Sequence, residues 1–212
     1  SYVLEVLPAL LNGAVVTLQV FFIVIVLSIP LGIVLAFLMQ IKFKPLNWLL
    51  TLYVWIMRGT PLLLQLIFVY YVLPSVGIVF DRLPAAILAF TLNYAAYFAE
   101  IYRSGIESMP VGQYEAAEIL GYSKSQTFLH IILPQVIKRI LPSVTNEVIT
   151  LVKDTSLAFV IAVSEMFTIA KALASSQTSM VPYVAAGIFY YVFNFLVAWI
   201  MEKIEKHLSY YR

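Results

Sequence analysis

The chain has 212 residues, of which 62% are hydrophobic and 11% charged, with a net charge of +2. A soluble domain carries about a quarter charged residues, so this composition excludes a soluble globular protein and makes a lipid bilayer the solvent for much of the surface. There is no cysteine, which excludes a disulfide framework and a thiolate metal site.

Residues 1–12 read as a short amphipathic lead with Glu5 and Pro8. Residues 13–39 are uncharged and apolar enough to cross a bilayer, with Pro30 placed to kink them. A basic turn at 40–47 carries Lys42, Lys44 and Pro45. The second span, over 48–73, is interrupted by Arg58-Gly59-Thr60-Pro61, and a loop at 74–83 carries Asp81 and Arg82. The third span covers 84–102, and residues 105–139 form a long polar segment. A fourth span, over 140–163, is broken by Lys153-Asp154. Residues 164–182 are polar and Ser-rich and suit a short interfacial helix. The fifth span is 183–201, followed by a charged tail from Glu202. The expectation is therefore an all-α, polytopic membrane protein of five transmembrane helices. No repeat or linker divides the chain, so one domain over 1–212 is expected, with a loop over 107–140.

Orientation follows from the basic residues. With the N-terminus outside, Lys42, Lys44, Arg103, Lys124, Lys138, Arg139, Lys203, Lys206 and Arg212 fall on or near the inner face, and only Arg82 and Lys171 lie outside. That asymmetry predicts a multi-pass protein of the cytoplasmic membrane with its C-terminus in the cytoplasm. The basic residues act as inner-face anchors rather than a nucleic-acid patch, so no nucleic-acid partner is expected.

Polar side chains inside spans are costly, roughly 2.5–3.5 kcal/mol for a central Lys, Arg or Asp, and must face partners or a wet cavity. Asn93, Tyr97, Glu100 and Ser104 recur at three- and four-residue steps and make one stripe of a helix, with Arg103 on its flank. Glu100 and Arg103 are also spaced to pair at i, i+3. In the fourth span Glu147, Asp154 and Glu165 point roughly the same way, although Asp154 and Glu165 lie about 16 Å apart along a helix. The hydroxyls of Thr155 and Ser156 compete for backbone hydrogen bonds, and a break at Thr155–Leu157 would expose N–H groups to a charged solute. A salt bridge between Lys153 and Asp154 across subunits is the other reading of that segment. At Arg58-Gly59-Thr60-Pro61, the Thr-Pro pair kinks the helix and Gly59 allows another backbone to approach; Arg58 either moves with a flexing core or snorkels to the interface.

The polar segment at 105–139 holds Glu115-Ala116-Ala117, then Gly121, then Ile131, Leu133 and Pro134. Two short helical patterns meet at Gly121, which suits the end of the first, and the two alanines leave one face without bulk. EAA, three residues, G, nine residues and I-x-L-P together resemble the EAA loop of the membrane subunits of ABC importers. Arg58-Gly59-Thr60-Pro61, Ala99-Glu100-Ile101-Tyr102-Arg103-Ser104-Gly105-Ile106 and Lys153-Asp154-Thr155-Ser156-Leu157 more narrowly resemble the permeases for polar amino acids. The resemblance runs from about Gly13 to the C-terminus.

The resemblance implies a type I ABC importer fold in which Glu115, Ala116, Ala117, Gly121, Leu133 and Pro134 form a cytoplasmic coupling-helix loop docking into an ATPase subunit. No G-x-x-x-x-G-K-[ST] occurs in this chain, so ATP and Mg belong to the partner ATPase, and no catalytic or metal-ligating residue and no cofactor is expected here. The implied partners are an ABC ATPase dimer, a second copy of the chain or a similar permease, an extracytoplasmic amino-acid-binding protein and the bilayer. Expected substrate contacts are Asn93, Tyr97, Glu100, Arg103, Asp154, Thr155, Ser156, Leu157 and Glu165. Their surplus carboxylates favour basic amino acids such as arginine, lysine or histidine, with a glutamine or other polar amino-acid permease as an alternative. A different class, an ion-coupled carrier or a channel, would also place carboxylates at membrane depth.

Overall fold

Among residues 2–210, which the computed structural model describes, every element is a helix and there is no strand. They are α1 (Tyr2–Leu38), α2 (Lys44–Gly59), α3 (Leu62–Ile67), α4 (Arg82–Glu107), α5 (Val111–Ile119), α6 (Lys124–Gln126), α7 (Leu133–Asp154), α8 (Met166–Gln177) and α9 (Val181–His207). The lead expected at 1–12 is not separate but opens the 37-residue α1. Val6, Leu10 and Ala14 pack on Met166 and Ala170 of α8 and on Ala186 of α9, which holds that end helical through Pro8. The short helix expected within 164–182 is α8, with Met166, Ala170 and Ala174 buried on its inner side. The expected tail from Glu202 continues α9 as far as His207.

Helix α4 is the axis of the bundle. Ala85, Ala86, Ala89, Ala95, Ala96 and Ala99 are all buried along it, and small residues let neighbouring backbones come close. On α1, a Cβ at Gly32 would stand 2.8 Å from the Phe98 Cβ and 3.2 Å from the Ala99 nitrogen, so only glycine permits this crossing. On the other side a Cβ at Gly105 would collide with Ile140 of α7. Between them Val20, Phe21, Val24, Phe90, Tyr94, Phe98, Leu151, Ile161 and Phe193 form the main core.

The second span is not continuous. Its two halves, Lys44–Gly59 and Leu62–Val76, are bent by 111° at Thr60-Pro61. Among the described residues, a Cβ at Gly59 would meet no atom within 4 Å beyond its own helix, so within this chain no backbone makes the close approach expected there. Length and apolarity qualify α1 and α9 as membrane spans, and four spans if each bent helix pair counts once. That is one short of the five expected. The remaining long helix is the 26-residue α4, whose alanines and polar stripe face protein rather than lipid and need not be strongly apolar.

Two wide π-helical turns, Phe68–Val72 and Thr127–Ile132, each run directly into a Leu-Pro pair, Leu73-Pro74 and Leu133-Pro134. Proline has no N–H to donate and its ring crowds the carbonyl four residues back. Widening the preceding turn is one way for the chain to accommodate that ring without breaking.

Candidate functional site

The elbow between α5 and α7 is built by local backbone chemistry. Gly121 takes φ +85°, with its N–H on the Glu118 carbonyl at 3.0 Å and the Tyr122 N–H on the Ala117 carbonyl at 3.0 Å. This pair of bonds closes α5 through a left-handed residue that glycine enters without cost. Ser123 then opens α6 with a reciprocal cap, its hydroxyl accepting from the Gln126 N–H at 3.2 Å and its own N–H donating to Gln126 Oε1 at 2.9 Å. The two expected alanines do not share one bare face. Ala117 is buried beneath α5, whereas Ala116 and Glu115 are exposed. The outer surface is apolar, with Val111, Ile119 and Leu120 at 69%, 86% and 73% exposure. Leu133 and Pro134 begin α7, and the Tyr210 hydroxyl donates to the Pro134 carbonyl at 2.7 Å.

A cleft of about 730 Å³ lies between α4 and α7, walled by Tyr97, Glu100, Ser104, Arg139, Asn146 and Glu147 and by Arg58 from α2. A second hollow of about 320 Å³ shares Tyr97, Asn146 and Glu147 and carries the groove on to Asn93, Tyr94, Thr150 and Asp154. The larger volume falls within the roughly 300–1,000 Å³ of small-molecule sites. Asp154 accepts from the buried Tyr94 hydroxyl at 2.6 Å. The Arg58 guanidinium stands 5.7 Å from the centre of the Tyr97 ring, a cation–π distance.

The structure thus brings Tyr97, Glu100 and Asp154 to one groove, with Asn93 at its edge. It does not bring the other expected contacts there as free groups. Asn93 donates to the Met57 carbonyl at 3.1 Å and to Gln65 Oε1 at 3.0 Å, so its amide caps the broken end of α2. Gln65 completes that cap, donating to the Met57 carbonyl at 3.1 Å and to Thr60 Oγ1 at 2.9 Å. Arg103 pairs with Glu100, as its spacing predicts, and with Glu107 at 2.8 Å. It faces a separate hollow with Met39, Asn47 and Trp55. The expected opening at Thr155–Leu157 is a narrowing instead. Residues Thr155–Ile161 continue α7 as a 3₁₀ helix, and the Thr155 N–H is bonded to the Leu151 and Lys153 carbonyls. The Thr155 and Ser156 hydroxyls donate to the carbonyls three residues back, each at 2.7 Å, and Leu157 packs on the core.

Glu165 is fully buried as the cap of α8. It accepts from the Thr168 and Phe167 N–H groups at 2.7 and 2.9 Å and from the Thr168 and Tyr190 hydroxyls at 2.9 and 2.6 Å. Thr17 of α1 donates to it at 3.5 Å, so one carboxylate knots α1, α8 and α9.

Sequence reasoning overlooked Asn146 and Thr150 as cleft residues and left Glu147 and Arg58 out of the expected contacts. A stripe was there to find, since Ser143, Asn146, Glu147, Thr150 and Asp154 recur at three- and four-residue steps on α7. Arg58 gave no such signal, because it stands on α2 and meets the cleft only through the packing of α2 on α4.

A bundle with lipid-suited helices, a polar groove between two of them and a capped, outward-facing elbow is the membrane-spanning part of a solute transporter. Residues 28–210 match the family model described as "Binding-protein-dependent transport system inner membrane component", and the chain belongs to that family. Among its relatives are the L-cystine transport system permease protein TcyB of Bacillus subtilis (strain 168), 35% identical over 96% of this chain and 88% of TcyB, and the arginine transport system permease protein ArtQ of the same organism, 36% identical over 96% and 94%. A solved structure described as an amino acid ABC transporter with histidines superposes with a TM-score of 0.89 at 29% identity, covering 97% of both chains. The type I ABC importer permease fold is thereby established. The chain is an amino-acid ABC transporter permease, and the ATPase, with its nucleotide, is a separate subunit. Membership in this family sets aside the ion-coupled carrier.

Proposed function

We propose that the groove between α4 and α7 carries polar amino acids, with a preference for basic ones, by alternating access driven from the elbow. The observation that carries this reading is the charge lining the groove. Glu147 and Asp154 are two carboxylates that make no ion pair within 4 Å among the described residues; of the two wall arginines without an ion pair, Arg139 is bonded to Ser108 and Arg58 is left to meet a solute. A basic amino acid has the complementary set of two cations and one carboxylate. Tyr97, Glu100, Asn146, Glu147, Thr150 and Asp154 are assigned to substrate contact, whereas Asn93, Arg103, Thr155, Ser156 and Leu157 shape the groove from behind and Glu165 holds α1, α8 and α9 together away from it.

In this reading the elbow at Glu115, Ala116, Ala117, Gly121, Leu133 and Pro134 faces the cytoplasm and docks an ATPase dimer. Its exposed apolar tip and its two back-to-back caps support a rigid-body docking surface. The N-terminus lies outside and the C-terminus in the cytoplasm, as the basic residues indicate. Residues 1–212 act as one permease domain that pairs with a second copy or a similar subunit about a twofold axis. An extracytoplasmic amino-acid-binding protein delivers the solute.

The test is uptake into proteoliposomes holding the whole importer. Glu147→Gln with Asp154→Asn should cut L-arginine uptake at least about tenfold while sparing L-glutamine to within about threefold. Equal loss of both would remove the basic preference, and no loss of either would remove the groove as the pathway.

A further inference from the structure

Arg103, the arginine that the sequence suggests for reading a substrate carboxylate, is already held by Glu100 and Glu107. The elbow-side wall of the groove contains two other arginines. Arg139 donates to the Ser108 carbonyl and hydroxyl, both at 3.1 Å. Arg58 differs from both: among the described residues it forms neither an ion pair within 4 Å nor a hydrogen bond like those of Arg139, and its guanidinium lies over the Tyr97 ring. It also walls both the α4–α7 cleft and the hollow that holds Arg103.

The last turn of a helix ordinarily draws a nearby cation onto its unpaired carbonyls. Here the broken end of α2 does not need one. Asn93 and Gln65 both donate to the Met57 carbonyl, Gln65 also bonds Thr60, and the Thr60 hydroxyl donates to the Ile56 carbonyl at 2.7 Å. The neutral amides do the capping and leave the guanidinium for something else. A guanidinium lying over an aromatic ring keeps its N–H edge for a planar anion, and its fork matches a carboxylate bidentately.

We infer that Arg58 is the residue that binds the α-carboxylate of the transported amino acid, and that Asn93 and Gln65 are positioning residues that hold it over Tyr97. The inference rests on the α4–α7 groove being the substrate pathway, but not on which side chain the substrate bears. Any α-amino acid would meet Arg58 in the same way, and an amine or amide lacking the carboxylate would not.

The experiment is equilibrium binding of L-arginine and of L-glutamine to the purified permease–ATPase complex, with the binding protein withheld so that its own pocket takes no probe. Each is compared with its carboxamide, L-argininamide or L-glutaminamide. The wild type should prefer the acid over the amide by at least about tenfold for the amino acid that it binds. Arg58→Gln should bring that ratio close to one by weakening the acid and not the amide. Arg58→Lys, which keeps the charge and loses the fork, should fall between the two and serves as the reading if the glutamine variant does not assemble. Equal weakening of acid and amide would make Arg58 structural and overturn the assignment, as would a wild type that does not discriminate. Full binding by Arg58→Gln, with binding lost in Glu147→Gln plus Asp154→Asn, would overturn the Arg58 assignment alone. Full binding by all these variants would overturn it together with the groove.

Discussion

The elbow turns Ile119 and Leu120 outward at 86% and 73% exposure, while the groove keeps Asn93 and Tyr94 at 5% and 1%. A left-handed glycine and a serine cap build the first, all within one short stretch of chain. The second is assembled from α2, α3, α4 and α7, which meet only through tertiary packing. Most of its polar groups are already bonded: Asn93 to the broken end of α2, Tyr94 to Asp154, Glu100 to Arg103. The surface proposed for docking is thus short-range and needs little from the rest of the fold. A passage for a charged solute has to be made of groups that mostly satisfy one another, because an unpaired polar group at membrane depth is expensive.

The largest test of this contrast lies outside both regions. Glu165→Ala removes the acceptor from two backbone N–H groups and three hydroxyls, and a loss of about 3–4 kcal/mol is expected, read as a lower melting temperature of the purified complex. An unchanged melting temperature with altered substrate competition would instead place Glu165 with the groove. At the elbow, Ile119→Asp with Leu120→Asp should weaken co-purification with the ATPase subunit about 100-fold, or about 2.7 kcal/mol, and leave the permease melting point in place. An early-melting bundle would show that the apolar tip belongs to the fold rather than to a partner.

Smaller effects sharpen the groove side. Asn93→Ala should cost about 1–2 kcal/mol, since Gln65 still reaches the Met57 carbonyl, and should speed amide exchange around residues 57–61. Unchanged exchange there would mean that the latch does not hold the break. Gly59→Ala should stay within about 0.5 kcal/mol of the parent, because a Cβ there meets nothing within 4 Å. A larger loss would reveal a close neighbour at the break.

The sequence disclosed the two regions unequally. The helical class, the apolar runs, the interruption at residues 58–61 and the elbow's glycine hinge were all readable, because each depends on composition, on period or on a residue with unusual backbone freedom; the break expected at residues 153–154 is absent, since the helix runs through Asp154 and on as a 3₁₀ helix to Ile161. The Glu100–Arg103 pair was readable for the same reason, its partners being three residues apart on one helix. Arg58 facing Tyr97, Asn93 capping Met57 and Glu165 joining Thr17 to Tyr190 were not. Each joins residues between 25 and 148 positions apart, and no local pattern records which distant helix will present the acceptor. The first helix was read too short because packing by Val6 and Leu10 on α8 overrides the boundary signal that Pro8 gives locally.

Between the elbow and α7 the chain passes through the wide turn Thr127–Ile132, wound more loosely than the helix on either side. Such a turn holds a surplus residue, and when the surplus migrates, the stretch it crosses rotates by about 100° while hydrogen bonds are exchanged one at a time. In the proposed coupling, a push at the elbow would therefore enter α7 through a slip joint rather than a solid rod. Torque at the tip would then be taken up first as a change of register at the shaft's first turns, before it reached Glu147 and Asp154 further along it.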